Sequence, residues 1–200
     1  MVAKCPVCPA GTLSDHAPEP KLSAKKCNEC TGIWIGALNY EGWLKEHGDT
    51  LPEKAPDATL TIQSGEKPGA KFCPECKYIL MKYKVGHDIE FTLNRCGQCA
   101  GVWFDKNEWD ILKARNLHDE VHLIFSQPWQ AAIRAEEHEA AMEKIWRDQI
   151  GPSDLSEIRR IKNWLAKHPK SAELYAFLLA GRSEKPTERA TVGAATSVES

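Results

Sequence analysis

Every cysteine in this chain stands in a Cys-x-x-Cys pair: Cys5 with Cys8, Cys27 with Cys30, Cys73 with Cys76, and Cys96 with Cys99. Such a turn places two soft sulfur ligands on one side of a tight knuckle, and two knuckles close a tetrahedron around one metal ion. The inner gaps of 18 and 19 residues fall within the roughly 15 to 20 of a four-cysteine zinc ribbon. The spacing predicts two structural Zn2+ ions, one per quartet; iron is the other metal that four thiolates hold. A catalytic zinc keeps an open coordination position, and a redox dithiol has one reactive pair at a helix start, so two closed quartets suit neither. No carboxylate pair, nucleophile triad or phosphate-binding glycine loop can be picked out, and the chain reads as a non-enzyme.

Each quartet spans about 45 residues, a length at which a metal or disulfide usually has to supplement an apolar core. Met1 leads directly into Val2, Ala3, Lys4 and Cys5 without a charged segment and apolar core for secretion. Reduced thiols in a cytoplasmic protein are therefore expected, and metal binding rather than disulfides. No apolar run approaches the roughly 18 residues that span a bilayer, so no membrane partner is expected. Two four-thiolate zinc sites add eight negative and four positive charges, taking the formal net charge from -2 to -6. That balance disfavours non-specific binding to nucleic acid.

The quartets belong to a longer duplication. CPVCPAGTL corresponds to CPECKYIL, and CNECTGIWIGALNYEGWL to CGQCAGVWFDKNEWDIL. In both copies a small residue, glycine, a β-branched residue and tryptophan follow the second pair, namely Thr31 to Trp34 and Ala100 to Trp103. The pattern resembles the TFIIB-type zinc-ribbon family, of approximate form CPxC, a variable β-hairpin, then CxxCxGxWLDxxEL. The second copy follows it through Cys96, Cys99, Gly101, Trp103, Phe104, Asp105 and Glu108. The first follows it through Trp34 and departs at Gly36 and Asn39. The resemblance implies a zinc-ribbon fold with a structural metal in each of two tandem copies, and no transcriptional role follows from it.

The elements that must hold these sites can be sketched. Residues 1–50 form zinc ribbon 1, 51–70 a linker, 71–116 zinc ribbon 2, 117–182 a helical region, and 183–200 a small, polar tail expected to be disordered. The fold class is thus small zinc-bound β-ribbon domains, two in tandem and each with a short helix, plus an α-helical C-terminal region. The linker would let the ribbons reorient unless Leu60 and Ile62 dock it. Ile79–Lys84 and Asp88–Asn94 flank Gly86 as a hairpin. Asp105 and Glu108 resemble a capping box that starts a helix, and with Gly36 in the place of Asp105 the ribbon 1 helix should be less well capped or begin later. In the helical region, one helix runs to Gly151 and Pro152. A second is expected to have Ser153 or Asp154 at its cap and Leu155, Ile158, Ile161 and Leu165 on one face. A third, Ser171–Gly181, should pack antiparallel to it with Leu174, Phe177 and Leu178 inward.

His118 and His122 lie one helical turn apart, but HDEVH lacks the HExxH order, and a solvated helix face is the better reading. Trp34 and Trp103 read as lids on a small core before they read as base-stacking platforms. Two functional classes remain. One is an adaptor or scaffold whose helical tail binds protein through Trp129, Trp146 or Trp164. The other is a nucleic-acid-associated factor in which Lys77, Lys82 and Lys84, beside Tyr78 and Tyr83, form a basic hairpin face on ribbon 2. Thiolate quartets also have the capacity to sense oxidants.

Overall fold

A computed structural model of the chain describes residues 3–47, 65–66 and 68–180. Leu60 and Ile62 of the linker, and the tail 183–200, lie outside the described residues. The chain divides into two compact units, Met1–His138 and Glu139–Ser200.

The first unit is built on one six-stranded sheet. Ribbon 1 supplies β1 (Leu13–His16), β2 (Ala24–Cys27) and β3 (Ile33–Ile35); ribbon 2 supplies β4 (Leu80–Gly86), β5 (Ile89–Cys96) and β6 (Val102–Phe104). All pairings are antiparallel, in the order β1-β2-β3-β6-β5-β4. The two repeats are therefore joined at their last strands: Ile33 lies opposite Phe104, Trp34 opposite Trp103, and Ile35 opposite Val102. This continuous seam replaces the reorienting pair of ribbons that the linker suggested. The described end of that linker is also tied down, because Gly65 N–H donates to the Lys106 carbonyl at 2.9 Å and Glu66 accepts from Thr92 Oγ1 at 2.7 Å.

The β4–β5 hairpin forms where expected. His87 and Asp88, at φ 54° and 60°, make a two-residue turn between Gly86 and Ile89, the left-handed geometry that matches strand twist. Gly86 has φ 77°, and a Cβ there would lie 2.9 Å from the Ile133 side chain, so both conformation and contact require glycine.

Because side chains alternate across a strand, the sheet has two different faces. One carries Cys8, Cys27, Cys73 and Cys96 with Trp34 and Trp103. The other carries Ile35, Val102, Phe104 and Leu93, and is covered by α1 (Ala37–His47), α2 (Glu108–Ala114), α3 (Val121–Ile124) and the start of α4 (Gln127–Ile150). Leu117, Val121 and Ile124, grouped with the helical region in the sequence reading, lie in this core.

Helix starts differ from expectation. The carbonyl of Gly36 accepts the Tyr40 N–H, and α1 begins at Ala37, earlier in the repeat than its counterpart and four residues longer. In ribbon 2 the cap is Asn107 at φ 68°. The Glu108 carboxylate does reach back to the Asp105 N–H, at 2.8 Å, but the Asp105 carboxylate is engaged elsewhere and does not cap.

In the second unit, α4 continues from Glu139 to Ile150, followed by α5 (Pro152–Lys167) and α6 (Ser171–Ala180). Gly151, at φ 81°, is the cap of α5 and Pro152 its first residue, in place of the expected Ser153 or Asp154. Leu155 and Leu165 are buried, whereas Ile158 and Ile161 are exposed. α5 and α6 pack together, but Phe177 and Leu178, expected inward, are 77% and 55% exposed.

Candidate metal centres

Each metal knuckle is shaped by its backbone. In the second pair of each ribbon, the N–H of Cys27 donates to the Gly32 carbonyl and that of Cys96 to the Gly101 carbonyl, both at 2.9 Å. Thr31 and Ala100 turn the chain between them at φ 61° and 58°. The first pairs differ. Lys77, at φ 64°, closes the ribbon 2 turn so that the Cys73 N–H meets the Tyr78 carbonyl at 2.7 Å. Pro9 follows Cys8 in ribbon 1 and its ring forbids that φ. The loop takes one more residue, and the Cys5 N–H meets the Gly11 carbonyl at 2.9 Å. A Cβ on Gly11 would lie 2.9 Å from the Cys27 sulfur, so this glycine keeps the metal pocket open.

Among the described residues, two groups bring four such ligands together: Cys5, Cys8, Cys27 and Cys30, and Cys73, Cys76, Cys96 and Cys99, with all sulfurs of a group within 4.8 Å of one another. Cys5 and Cys30 sulfurs are 3.7 Å apart, Cys73 and Cys99 3.6 Å, and Cys76 and Cys96 3.3 Å. A tetrahedron with Zn–S bonds of about 2.3 Å has edges of about 3.8 Å, so the quartets fit zinc. Amide N–H groups point at the leading sulfur of each pair: Cys8 to Cys5 at 3.2 Å, Glu29 to Cys27, Cys76 to Cys73 and Gln98 to Cys96 each at 3.4 Å.

The thiols divide by position. Burial pushes Cys5 up to about 11 and also raises Cys30, Cys73 and Cys99. At Cys96 burial acts in the same sense but is outweighed by the N–H groups of Cys99 and Gln98 and by the neighbouring thiols, which bring it down to about 7. Cys27, its counterpart, is lowered against burial by the N–H groups of Cys30 and Glu29. Cys27 and Cys96 thus ionise more readily than an ordinary thiol, while Cys5, Cys30, Cys73 and Cys99 resist ionisation until a dication joins them. The residues that would hold zinc are all eight cysteines; a four-thiolate shell supplies structural cross-linking and leaves no coordination position for a substrate.

Trp34 and Trp103 are buried lids, 1% and 0% exposed. The Trp103 indole donates to Asp105 Oδ1 at 2.9 Å, and Lys71 Nζ pairs with Asp105 Oδ2 at 2.7 Å. The Trp34 indole crosses to ribbon 2 and donates to Glu75 Oε1 at 2.9 Å. Sequence reasoning missed Lys71 and Glu75; the signal available was only that Glu75 lies inside a metal knuckle.

The weaker candidates resolve differently from one another. His118 is not on a solvated face: its ring lies 6.0 Å from those of both Trp43 and Trp109, while His122 approaches Tyr40 at 6.4 Å. The hairpin lysines are engaged. Lys77 Nζ donates to the Pro74 carbonyl at 2.7 Å, Lys82 pairs with Glu66 at 3.2 Å, and Lys84 pairs with Glu137. Tyr83 packs edge-on to Phe125 at 5.1 Å, and Tyr78 is exposed. Trp129 packs against the first core and donates to the Val85 carbonyl at 2.8 Å. Trp146 and Trp164 remain 47% and 55% exposed. Among the described residues no helix is long and apolar enough to cross a membrane.

The family model described as "Transcription factor zinc-finger", a TFIIB-type zinc ribbon, matches residues 72–115. This segment is similar to that family and covers ribbon 2 alone. No curated protein and no solved structure matches the chain.

Proposed function

We propose that this protein is a non-enzymatic zinc-binding scaffold whose helical second unit binds another protein. The observation that carries the reading is the uncovered apolar surface of that unit. Trp146, Ile158, Trp164 and Phe177 are each about half exposed or more. A cleft of about 470 Å³ opens between α4 and α5, with Met142, Trp146, Leu155 and Ile158 in its wall and Glu143 and Arg159 beside them. Tryptophans of this kind, with charges around an apolar centre, are what protein interfaces are enriched in. Ribbon 1 is, on this reading, a diverged second copy of the TFIIB-type ribbon, supported by the shared Cys-x-x-Cys-x-Gly-x-Trp run and the matching Cys27–Gly32 and Cys96–Gly101 hydrogen bonds. Eight thiols gathered in two quartets suit a reducing compartment such as the cytoplasm.

Nucleic-acid association through ribbon 2 is less favoured, because the hairpin lysines already have partners within the chain. The test is affinity capture with the intact protein and a Trp146→Glu/Trp164→Glu variant, each with and without nuclease. Removing the chain from 117 onward is unsuitable, since it strips Leu117, Val121 and Ile124 from the ribbon core. Partners that survive nuclease and are lost from the variant support the scaffold. Capture that ignores the substitutions but disappears with nuclease would transfer the function to the ribbons and nucleic acid.

A further inference from the structure

The tryptophan of each ribbon reaches the metal knuckle of the other. Trp34, from ribbon 1, lies on Gly101, in the turn that follows Cys99 of ribbon 2; a Cβ on Gly101 would come within 2.3 Å of its ring. Trp103, from ribbon 2, lies on Gly32, in the turn that follows Cys30 of ribbon 1, and a Cβ there would also come within 2.3 Å. Trp34 additionally donates to Glu75, between Cys73 and Cys76. The exchange follows from register: β3 and β6 are antiparallel with Trp34 opposite Trp103, so each indole extends over the partner strand and meets the loop that feeds it. Gly32 and Gly101 also accept the hydrogen bonds that set the Cys27 and Cys96 knuckles.

From this we propose that the two metal centres are one coupled device, in which metal at either ribbon raises the affinity of the other through the exchanged tryptophans. A knuckle without its ion loses the constraint that holds its glycine against the foreign indole. That indole is among the largest apolar groups in a cluster containing cysteines of both quartets. Opening one ribbon therefore uncovers a wall of the other. The protein would pass between a two-zinc closed form and a metal-free open form, and reagents that strip one ribbon would open both.

The inference rests on zinc occupying both quartets, which native mass spectrometry of the purified chain tests separately by its two-zinc mass. The coupling is measured on full-length chains. Cys96→Ser/Cys99→Ser empties ribbon 2, Cys27→Ser/Cys30→Ser empties ribbon 1, and competition with a chelator of known affinity gives the zinc affinity of the remaining site. A loss of about 10- to 100-fold is expected. Because linkage is reciprocal, it should be the same in both directions. In a Trp34→Leu/Trp103→Leu background the factor should fall towards one. Unchanged affinity at the remaining site, or a factor that survives loss of both tryptophans, overturns the proposal. Should the serine variants not fold, stepwise chelation of the wild-type chain decides it. Native mass spectra should show the one-zinc species well below its statistical share, and a full statistical share would refute the coupling.

Discussion

Asp105 shows how one residue's role is settled by competition among its neighbours. In a sequence it precedes Glu108 by three and looks like a helix cap. In the structure its two carboxylate oxygens are taken by Lys71 and Trp103, and both members of the ion pair are 3% exposed. A buried charge left alone costs more than the pair contributes. Lys71→Met should therefore destabilise the zinc-loaded protein by about 3–5 kcal/mol. Adding Asp105→Asn, which can still accept from the Trp103 indole, should recover a good part of that. Urea unfolding of the single and double variants measures both, and a double variant as unstable as the single would mean that Lys71 acts through packing. The cysteines were legible because their chemistry is fixed by residue type and spacing alone. Lys71 was not, since a lysine 34 residues from its partner carries no local mark of burial.

Between elements, Tyr40 is a buried polar tie. Its hydroxyl donates to the His118 carbonyl at 2.9 Å and accepts the Val121 N–H at 3.2 Å, joining α1 to the start of α3. Burial, reinforced by Asp119 and Glu120, raises its ionisation well above the ordinary tyrosine value against the effect of the Val121 N–H. Below pH about 10 the hydroxyl is protonated in both folded and unfolded chains, and its contribution to stability is complete. As pH rises beyond that, the unfolded chain ionises first and stability falls, by up to about 1.4 kcal/mol per pH unit. Tyr40→Phe should cost about 1–2 kcal/mol at pH 7, because the Val121 N–H loses its buried partner, but should flatten the alkaline decline. Denaturant midpoints from pH 7 to 11 in both proteins test this, and parallel curves would remove Tyr40 as the cause. At the sheet edge, α4 caps β4: Trp129 and Gln130 donate to the carbonyls of Val85 and Lys84. Trp129→Phe keeps most of the ring burial and loses the hydrogen bond, so a loss of about 1 kcal/mol is expected in the same assay. Helix positions in this region were legible from apolar spacing and from Gly151–Pro152. Which faces are buried was not: the periodicity of α6 marks Phe177 and Leu178 as apolar, but only the packing of α5 and α6 decides whether anything covers them.

At the scale of the molecule, the two four-cysteine segments form one sheet with two different faces, rather than two independent ribbons. The metal face has little apolar bulk beyond the two exchanged tryptophans and a few aliphatic side chains. Its helix face has the larger core. Neither face can be judged without the ions, because zinc binding in small four-ligand sites contributes about 10–16 kcal/mol per site, as much as the whole stability of an ordinary domain, about 5–15 kcal/mol. Removing both ions at pH 7 with excess chelator should therefore unfold the first unit, including the helix face, because the strands that carry Leu93, Val102 and Phe104 also carry or adjoin the knuckles. The eight ligands all precede residue 100, and α5 and α6 contain none, so their helical signal has no direct dependence on metal. Tryptophan emission should shift to the red as Trp34, Trp43, Trp103 and Trp109 leave their buried sites, while part of the far-ultraviolet helical signal persists. A metal-free protein that keeps its native emission would show that the sheet is held by its apolar helix face alone, with the zinc sites as additions to a fold already complete.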